Sequence, residues 1–400
     1  MTNTIYLDNN ATTKIDEDVL AAMLPYLTTY YGNPSSMHTF GGQIGRVVRE
    51  ARSQVAELLG AEESEIVFTS CGTEGDNAAI MAALKAQPNK KHIITTEVEH
   101  PAILNLCRRL ERDGYTVTYL SVNEKGQIDF DELEASLTGS TALVSVMYAN
   151  NETGVIFPIE QIGQIVKEYG ALFHVDAVQA VGKIPLDMKT SSIDLLTLSG
   201  HKIHAPKGIG ALYVRKGVRF RPLLIGGHQE RGRRGGTENV AGIVALGKAA
   251  ELAQQHLAGI GWEKRLRDKL EQGILAAIPN TAVNGDPDNR LPNTSNIGFK
   301  FIEGEAILLS LDEYGICASS GSACSSGSLE PSHVLRALGL PYSILHGSIR
   351  FSLSRYTTEA EIDRLLEILP SIIDRLRELS PFNSDDADWL QEQEALVVGR

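Results

Sequence analysis

Three observations predict an α/β fold built on a largely parallel sheet. Short, nearly continuous apolar runs recur as strand candidates: Ile66-Val67-Phe68, Ile93-Ile94-Thr95, Val117-Thr118-Tyr119-Leu120, Leu143-Val144-Ser145-Val146 and Leu172-Phe173-His174-Val175. Helical stretches, such as Ile80 to Lys85 and Ile159 to Tyr169, lie between several of them. Strands apolar along their whole length are those buried on both faces, as crossover helices make them. Third, most of the polar residues with chemical potential directly follow a strand, and parallel sheets hold ligands at those carboxyl ends.

The 400 residues suffice for one large or two ordinary domains with a sizeable core. Hydrophobic content of 42% and charged content of 22% are those of a water-soluble globular chain. A net charge of −13 argues against a nucleic-acid surface. Met1 is followed by polar Thr2-Asn3-Thr4, so neither export nor transit is expected, and no apolar run is long enough for a membrane span. Cys71, Cys107, Cys317 and Cys324 have no metal-finger spacing and read as free thiols of a reducing cytoplasm.

Taken in order, the chain opens with an extended arm, Ile5 to Thr13, that ends in turn and cap residues. Asn33-Pro34-Ser35-Ser36 makes a turn before a helix with Ile44, Val47, Val48, Ala51, Val55, Leu58 and Leu59 on one stripe, and Gly60 stops it. The strand–helix alternation follows. Ser70-Cys71-Gly72-Thr73-Glu74 links the strand at Phe68 to a helix, and so offers free N–H groups to an anion or merely caps the helix. From about residue 258 the alternation weakens. Trp262 to Ile278 reads as a connecting helix, and Pro279 to Asn293 as a Pro/Asn/Gly/Asp-rich connection. Thr358 and Glu361 form a capping box before Ile362, Leu365, Leu366 and Leu369. The expected organisation is an N-terminal arm (1–15), a large domain (16–257), a smaller α+β domain (258–380) and an acidic tail (381–400).

The stretch Leu198-Ser199-Gly200-His201-Lys202 follows the strand candidate Ile193 to Thr197 and sets one lysine at a strand end. Alone it reads equally as a surface lysine in a loop. About 25 residues upstream, however, Leu172-Phe173-His174-Val175-Asp176-Ala177-Val178-Gln179 ends a second strand in a carboxylate and an amide. A buried lysine suits Schiff-base chemistry, because burial frees its amine. An acid beside it keeps a pyridinium nitrogen protonated, which is the pair that pyridoxal 5'-phosphate requires.

With these residues, the sequence resembles the cysteine desulfurases, and most closely the nitrogen-fixation NifS type. The resemblance is carried by Ser199-Gly200-His201-Lys202, His174-Val175-Asp176-Ala177-Val178-Gln179 and Arg234-Gly235-Gly236-Thr237-Glu238-Asn239. It runs from about Leu7 to the last long helix, in the family's order. It implies the aspartate-aminotransferase-like fold (fold type I), with a mostly parallel seven-stranded sheet in the large domain. It implies pyridoxal 5'-phosphate held as an imine on Lys202, with Asp176 at the ring nitrogen. Gly72, Thr73, Ser199, Gly200 and His201 would surround the phosphate, and Thr237 would reach it from a neighbouring subunit, which makes the protein a homodimer. His100 would stack on the ring and relay protons; by itself, a histidine before Pro101 is equally a loop residue. Asn151 and Gln179 would bind the ring hydroxyl or the substrate carboxylate, or else serve as ordinary turn amides. Asn10 and Arg350 would hold the substrate, since a carboxylate favours arginine's two-pronged donor set; the alternative for Arg350 is a surface pair with a nearby acid. Cys71 stands where many relatives carry glycine.

Cys324 decides the reaction. Ala318 to Ser328 is made almost wholly of serine, glycine and alanine around one thiol, the composition of a flexible loop. An exposed thiol is an oxidation hazard unless it is used. The expected activity is L-cysteine desulfurase: L-alanine is released, a persulfide forms on Cys324, and its sulfur goes to an iron–sulfur scaffold or other acceptor protein for cluster assembly, nitrogenase maturation in particular. Transient ligation of a cluster through Cys324 is part of that expectation. A selenocysteine lyase or small-amino-acid aminotransferase on the same scaffold, and a non-catalytic sulfur-transfer scaffold, are the alternatives.

Overall fold

The computed structural model describes residues 4–257, 259, 261–320 and 331–380. The acidic tail and Cys324 lie outside them. Its strands, in chain order, are β1 (Ile5–Tyr6), β2 (Ile66–Thr69), β3 (His92–Thr96), β4 (Thr116–Leu120), β5 (Thr141–Met147), β6 (Leu172–Asp176), β7 (Leu195–Ser199), β8 (Gly210–Val214), β9 (Thr281–Val283), β10 (Thr294–Phe299), β11 (Ile316–Cys317), β12 (Ser319–Ser320) and β13 (Ser348–Ser352).

Seven of them form the main sheet, in the order β2-β8-β7-β6-β5-β3-β4. The five from β4 to β7 run parallel. β8 is antiparallel to both β7 and β2. Both faces are covered, and successive residues on one strand supply opposite faces. Phe68, Leu196 and Leu198 join the cluster that also holds Val55 and Leu59 of the helix Thr39–Leu59 and Ile243 and Leu246 of the helix Val240–Leu257. Val67, Leu195 and Leu212 pack on the other side with Ala79, Ile80, Ile103 and Leu110. Each such Leu, Ile or Phe contributes about 1.5–3 kcal/mol when removed from water. Buried contacts of this kind, rather than intrinsic strand propensity, fix which run becomes a strand.

A second, antiparallel sheet has the order β12-β13-β10-β9. It packs against the helices Gly261–Ala277 and Glu359–Leu379 through Leu266, Leu270, Ile297, Phe299, Phe351, Leu365 and Leu369. The arm belongs to this core: Ile5 and Leu7 are buried in it, and β1 pairs in parallel with β11. Conversely, Val334 and Leu338, late in the chain, pack into the core of the main sheet.

Local signals match the elements they announced. Gly60 ends its helix at φ 62°, in the left-handed region glycine tolerates. Thr358 and Glu361 exchange the two hydrogen bonds of a capping box. Two stretches depart from expectation: Ser319–Ser320, in the run read as a flexible loop, forms β12 against β13, and within Pro279 to Asn293, Thr281–Val283 forms β9. Pairing with β10 supplies backbone partners that turn-rich composition gives no hint of.

Candidate active site

β7 ends at Ser199, and a single tight turn, Gly200–Lys202, follows. A side chain at Gly200 would meet Ala205 Cβ and Ile209 Cγ2 at 3.0 Å, so glycine is what lets the turn lie flat against Ile209. Thr13 donates both its N–H and its hydroxyl to the His201 carbonyl, each at 3.0 Å, and pins the turn to the N-terminal arm. Lys202 then projects onto that arm, donating to Asn10 O at 2.5 Å and Ala11 O at 2.8 Å. Asn10 is itself clamped from several sides. Its N–H donates to Ser352 Oγ (2.9 Å), and its side-chain amide to Thr294 Oγ1 (2.9 Å) and Asn151 O (3.1 Å). The Gln179 amide donates to Asn10 O at 2.9 Å. Lys202, Asn10, Asn151 and Gln179, far apart in sequence, thus form one connected cluster.

On the neighbouring strand, Asp176 ends β6 opposite Thr197. It is 6% exposed, and Oδ1 accepts from Val178 N–H at 2.9 Å. Burial pushes its carboxyl up to about 6, against the opposing pull of Val178 N–H and the Lys202 charge. More buried acids surround it. Asp76, raised well above the usual range by burial and by Asp176, has Oδ1 3.7 Å from His174 Nε2. Burial lowers His174 to about 3, so it is a neutral ring, held between Ser145 Oγ (2.8 Å) and Thr197 Oγ1 (3.0 Å). Glu99 takes Met147 N–H and the Thr96 hydroxyl on one oxygen, and burial raises it to about 8. Burial thus disfavours charge throughout the layer beneath the sheet end, on Asp76, Glu99 and His174 alike.

The helix Gly72–Ala86 begins at the end of β2 with no side-chain cap on its first N–H groups. A Cβ on Gly72 would lie 3.0 Å from Val178 Cγ2 and 3.6 Å from Ser199 Cβ, so this terminus opens beside Asp176 and Ser199. Ser199 Oγ is buried and finds no partner among the described residues. Uncapped N–H groups with an orphaned hydroxyl suit an anion. Thr73 is exposed on the same turn. His201 contacts Thr12 Oγ1 at 3.2 Å, and burial with the nearby Lys202 charge lowers it to about 4. Thr237 is exposed, and no hydrogen bond among the described residues joins it to Gly72, Thr73 or Ser199. Its segment is nonetheless tied close by, through Arg234 Nε to Glu74 Oε1 at 2.9 Å.

His100 caps the helix Pro101–Arg112, its Nδ1 accepting from Ala102 N–H at 3.1 Å. Burial and the Lys202 charge lower it to about 4. A neutral ring that accepts at Nδ1 carries its proton on Nε2. Arg350 on β13 is not the surface arginine of the alternative reading. It is 3% exposed, donating to Asp8 Oδ1 at 2.7 Å and Asn151 O at 3.0 Å, while its Nε has no partner among the described residues.

Sequence reasoning missed three residues here. Asp8 pairs with Arg350 across the arm. Lys183 donates to Gln179 Oε1 at 2.6 Å and Asn10 Oδ1 at 3.0 Å. Glu152, beside Asn151, accepts from Ser332 Oγ at 2.5 Å. The available signal was adjacency: Asp8 precedes Asn10 by two residues, and Lys183 lies four residues beyond Gln179. Cys324 lies in 321–330, outside the described residues; its segment is entered from β12 and left through Ser332. Among the described residues, no group of three or more His, Cys, Asp or Glu side chains is arranged to hold a metal. Nor is any helix there long and apolar enough to cross a membrane.

Comparison with known proteins gives a consistent set of relatives. The family pattern described as Aminotransferase class-V matches residues 5–365. The chain is 76% identical over 394 residues to "Cysteine desulfurase 2" of Trichormus variabilis, covering 98% of this chain and 99% of that one. It is 60% identical over 380 residues to "Cysteine desulfurase NifS" of Azotobacter vinelandii, covering 94% of each. Among solved structures, a "NIFS-LIKE PROTEIN" superposes with a TM-score of 0.88 at 40% identity, over 94% of this chain and all of that one. An apo cysteine desulfurase from Thermococcus onnurineus superposes with a TM-score of 0.84 at 26% identity, over 93% and 95%.

Proposed function

Because the chain belongs to the class-V aminotransferase family, we propose that it is an L-cysteine desulfurase that uses pyridoxal 5'-phosphate and Cys324 to convert L-cysteine into L-alanine and enzyme-bound sulfur. One observation carries this reading. The Lys202 amine and the Asp176 carboxylate follow adjacent strands, beside an uncapped helix terminus and the orphaned Ser199 hydroxyl. That donor set fits a cofactor with an aldehyde, a basic ring nitrogen and a phosphate.

Gly72, Thr73, Ser199, Gly200 and His201 would hold the phosphate, joined by Thr237 of a second copy. Asp176 would sit at the ring nitrogen, His100 against the ring face, and Asn151 and Gln179 at the ring's edge. Bound, the cofactor supplies a carbonyl for amines and a sink for the electrons released when Cα loses its proton. The chain's residues do the rest. Arg350, Asn10 and Asn151 orient the substrate carboxylate. The Lys202 amine takes the Cα proton. Neutral His100 offers its Nε2 proton and can receive it back. The Cys324 thiolate attacks the substrate sulfur: an S–S bond forms, the C–S bond breaks with its electron pair left on the substrate, and protonation at that carbon, with the proton on Lys202 returned to Cα, completes L-alanine.

The persulfide sulfur then passes to an acceptor protein, an iron–sulfur scaffold serving nitrogenase maturation, with a cluster transiently bound through Cys324. Similarity to the relative named NifS supports this branch. Leu24, Leu27, Tyr31, Met37 and Ile225 are exposed apolar side chains in keeping with a homodimer. The free thiols Cys71, Cys107 and Cys317 are in keeping with a cytoplasmic enzyme.

The test is the visible spectrum of the purified protein before and after L-cysteine, with alanine, pyruvate and sulfide measured together in excess dithiothreitol, which reduces the persulfide and releases its outer sulfur as sulfide. A cofactor band and equal yields of alanine and sulfide are expected. C324A should keep the band and lose turnover, and K202A should lose both. Pyruvate as the product, or full turnover by C324A, overturns the proposal.

A further inference from the structure

Two lysine amines converge on one asparagine. Lys202 Nζ donates to Asn10 O at 2.5 Å, and Lys183 Nζ to Asn10 Oδ1 at 3.0 Å. Lys183 also donates to Gln179 Oε1 at 2.6 Å, and the Gln179 amide returns to Asn10 O at 2.9 Å. The preceding glycine makes this approach possible. Gly182 has φ +73°, and a Cβ there would meet Ile203 Cγ2, on the residue after Lys202, at 2.9 Å.

The direct partners of Lys183 are neutral amide oxygens, not an acid. Its charged neighbours are Lys202 and Arg350, and both disfavour a positive charge on it. A cavity of about 40 Å³, lined by both lysines, also presents His204, His256, Glu263 and Arg355. The acids nearby are engaged elsewhere: Glu263 with His256 (2.5 Å), Asp16 with Arg355 (2.6 Å) and Asp8 with Arg350 (2.7 Å). Burial acts with the two cations to hold the Lys183 ammonium well below the usual lysine range. Like charges at such range do not ionise independently; a proton on one shifts the other.

We propose that Lys183 is a positioning residue for Lys202: it fixes Asn10 and Gln179 around that amine and couples its own protonation to that of the Lys202 nitrogen, so that a charge on residue 183 and a charge on that nitrogen oppose each other. This rests on the cofactor reading above. In that reading the nitrogen linked to the cofactor titrates visibly, so the influence of residue 183 can be read without measuring activity.

The experiment is a pH titration of the visible band in the purified holoenzyme and in K183M, K183Q and K183R. Removing the charge should raise the midpoint by about one pH unit in K183M and K183Q. In K183R, where the charge is permanent, the midpoint should stay or fall. Unchanged midpoints in K183M and K183Q overturn the proposal, as does a rise in K183R equal to theirs, which marks a purely structural role. Should neither neutral variant load the cofactor, acetylation of the wild-type holoenzyme across pH, read by mass spectrometry, decides. Labelling of Lys183 that sets in below the ordinary lysine range supports the proposal; labelling only in that range, or none, overturns it. A wild-type protein with no visible band fails the functional reading instead, whereas a wild-type band indifferent to residue 183 fails this inference alone.

Discussion

Ser332 donates its hydroxyl to the Glu152 carboxylate at 2.5 Å, joining the segment just beyond residue 330 to the turn after β5. The same serine caps the helix His333–Ala337, and the His333 ring contacts Glu99 O at 2.9 Å. The exit of the stretch that bears Cys324 is therefore fastened to the main sheet.

Burial raises Glu152 from 4.5 to about 7. An acid whose folded pKa lies above its unfolded one stabilises the fold fully below pH 4.5 and loses that contribution as pH rises through 7. E152Q is neutral throughout and keeps a partner for Ser332. Urea unfolding should find it close to wild type at pH 4.5 and more stable at pH 8, by an amount on the order of 3 kcal/mol. A difference that does not grow with pH contradicts this.

Arg52 and Glu230 face each other through two 2.7 Å contacts, both residues being buried. Glu230 also takes Phe68 N–H at 2.9 Å and adopts φ 48°. Removing one partner of such a pair strands the other charge, at about 3–5 kcal/mol. R52M should show that loss in urea midpoints, and R52M/E230Q should recover part of it. A loss in R52M below about 1 kcal/mol would refute the assignment.

A Cβ on Gly75 would fall 2.6 Å from Thr197 Cγ2, whose hydroxyl holds His174. G75A should cost about 1–3 kcal/mol by overpacking and should weaken the visible band as the strand end shifts. Gly139 has nothing within 4 Å and no positive φ. Accordingly G139A serves as the control, with a melting temperature like that of wild type.

Arg350 holds its fork between Asp8 and the Asn151 carbonyl. Lysine keeps the charge but not the planar geometry. R350K should raise KM for L-cysteine roughly tenfold or more with a smaller effect on kcat, as lost carboxylate recognition requires. Steady-state kinetics showing a fall in kcat alone would contradict that role.

What the sequence made legible was periodic or local. The apolar runs located β2 to β6, because strands such as β2, β3 and β5, buried on both faces, need no partner to be recognised, and even β4, largely unburied at the sheet edge, keeps a run of β-formers. Thr358 and Gly60 announced their helix ends through chemistry confined to a few neighbouring residues. Lys202 and Asp176 were found because each closes such a run. Lys183 and Asp8 were not, since each reads as a solvated charge until the chain folds: Lys183 is near Gln179 in sequence, but Asn10, which those two meet, and Arg350, the partner of Asp8, are distant. β9 escaped for the same reason, as the strand it pairs with is β10.

Asn10 is bonded on one side to Lys202 and on the other to Ser352. The lysine precedes that serine in the chain, so before β13 is made the arm is held only by its earlier contacts, among them those to Asn151, Gln179 and His201. The centre becomes competent only once β13 is in place. The last strand of the smaller sheet is thereby tied to the amine at the end of the larger one, through a single asparagine.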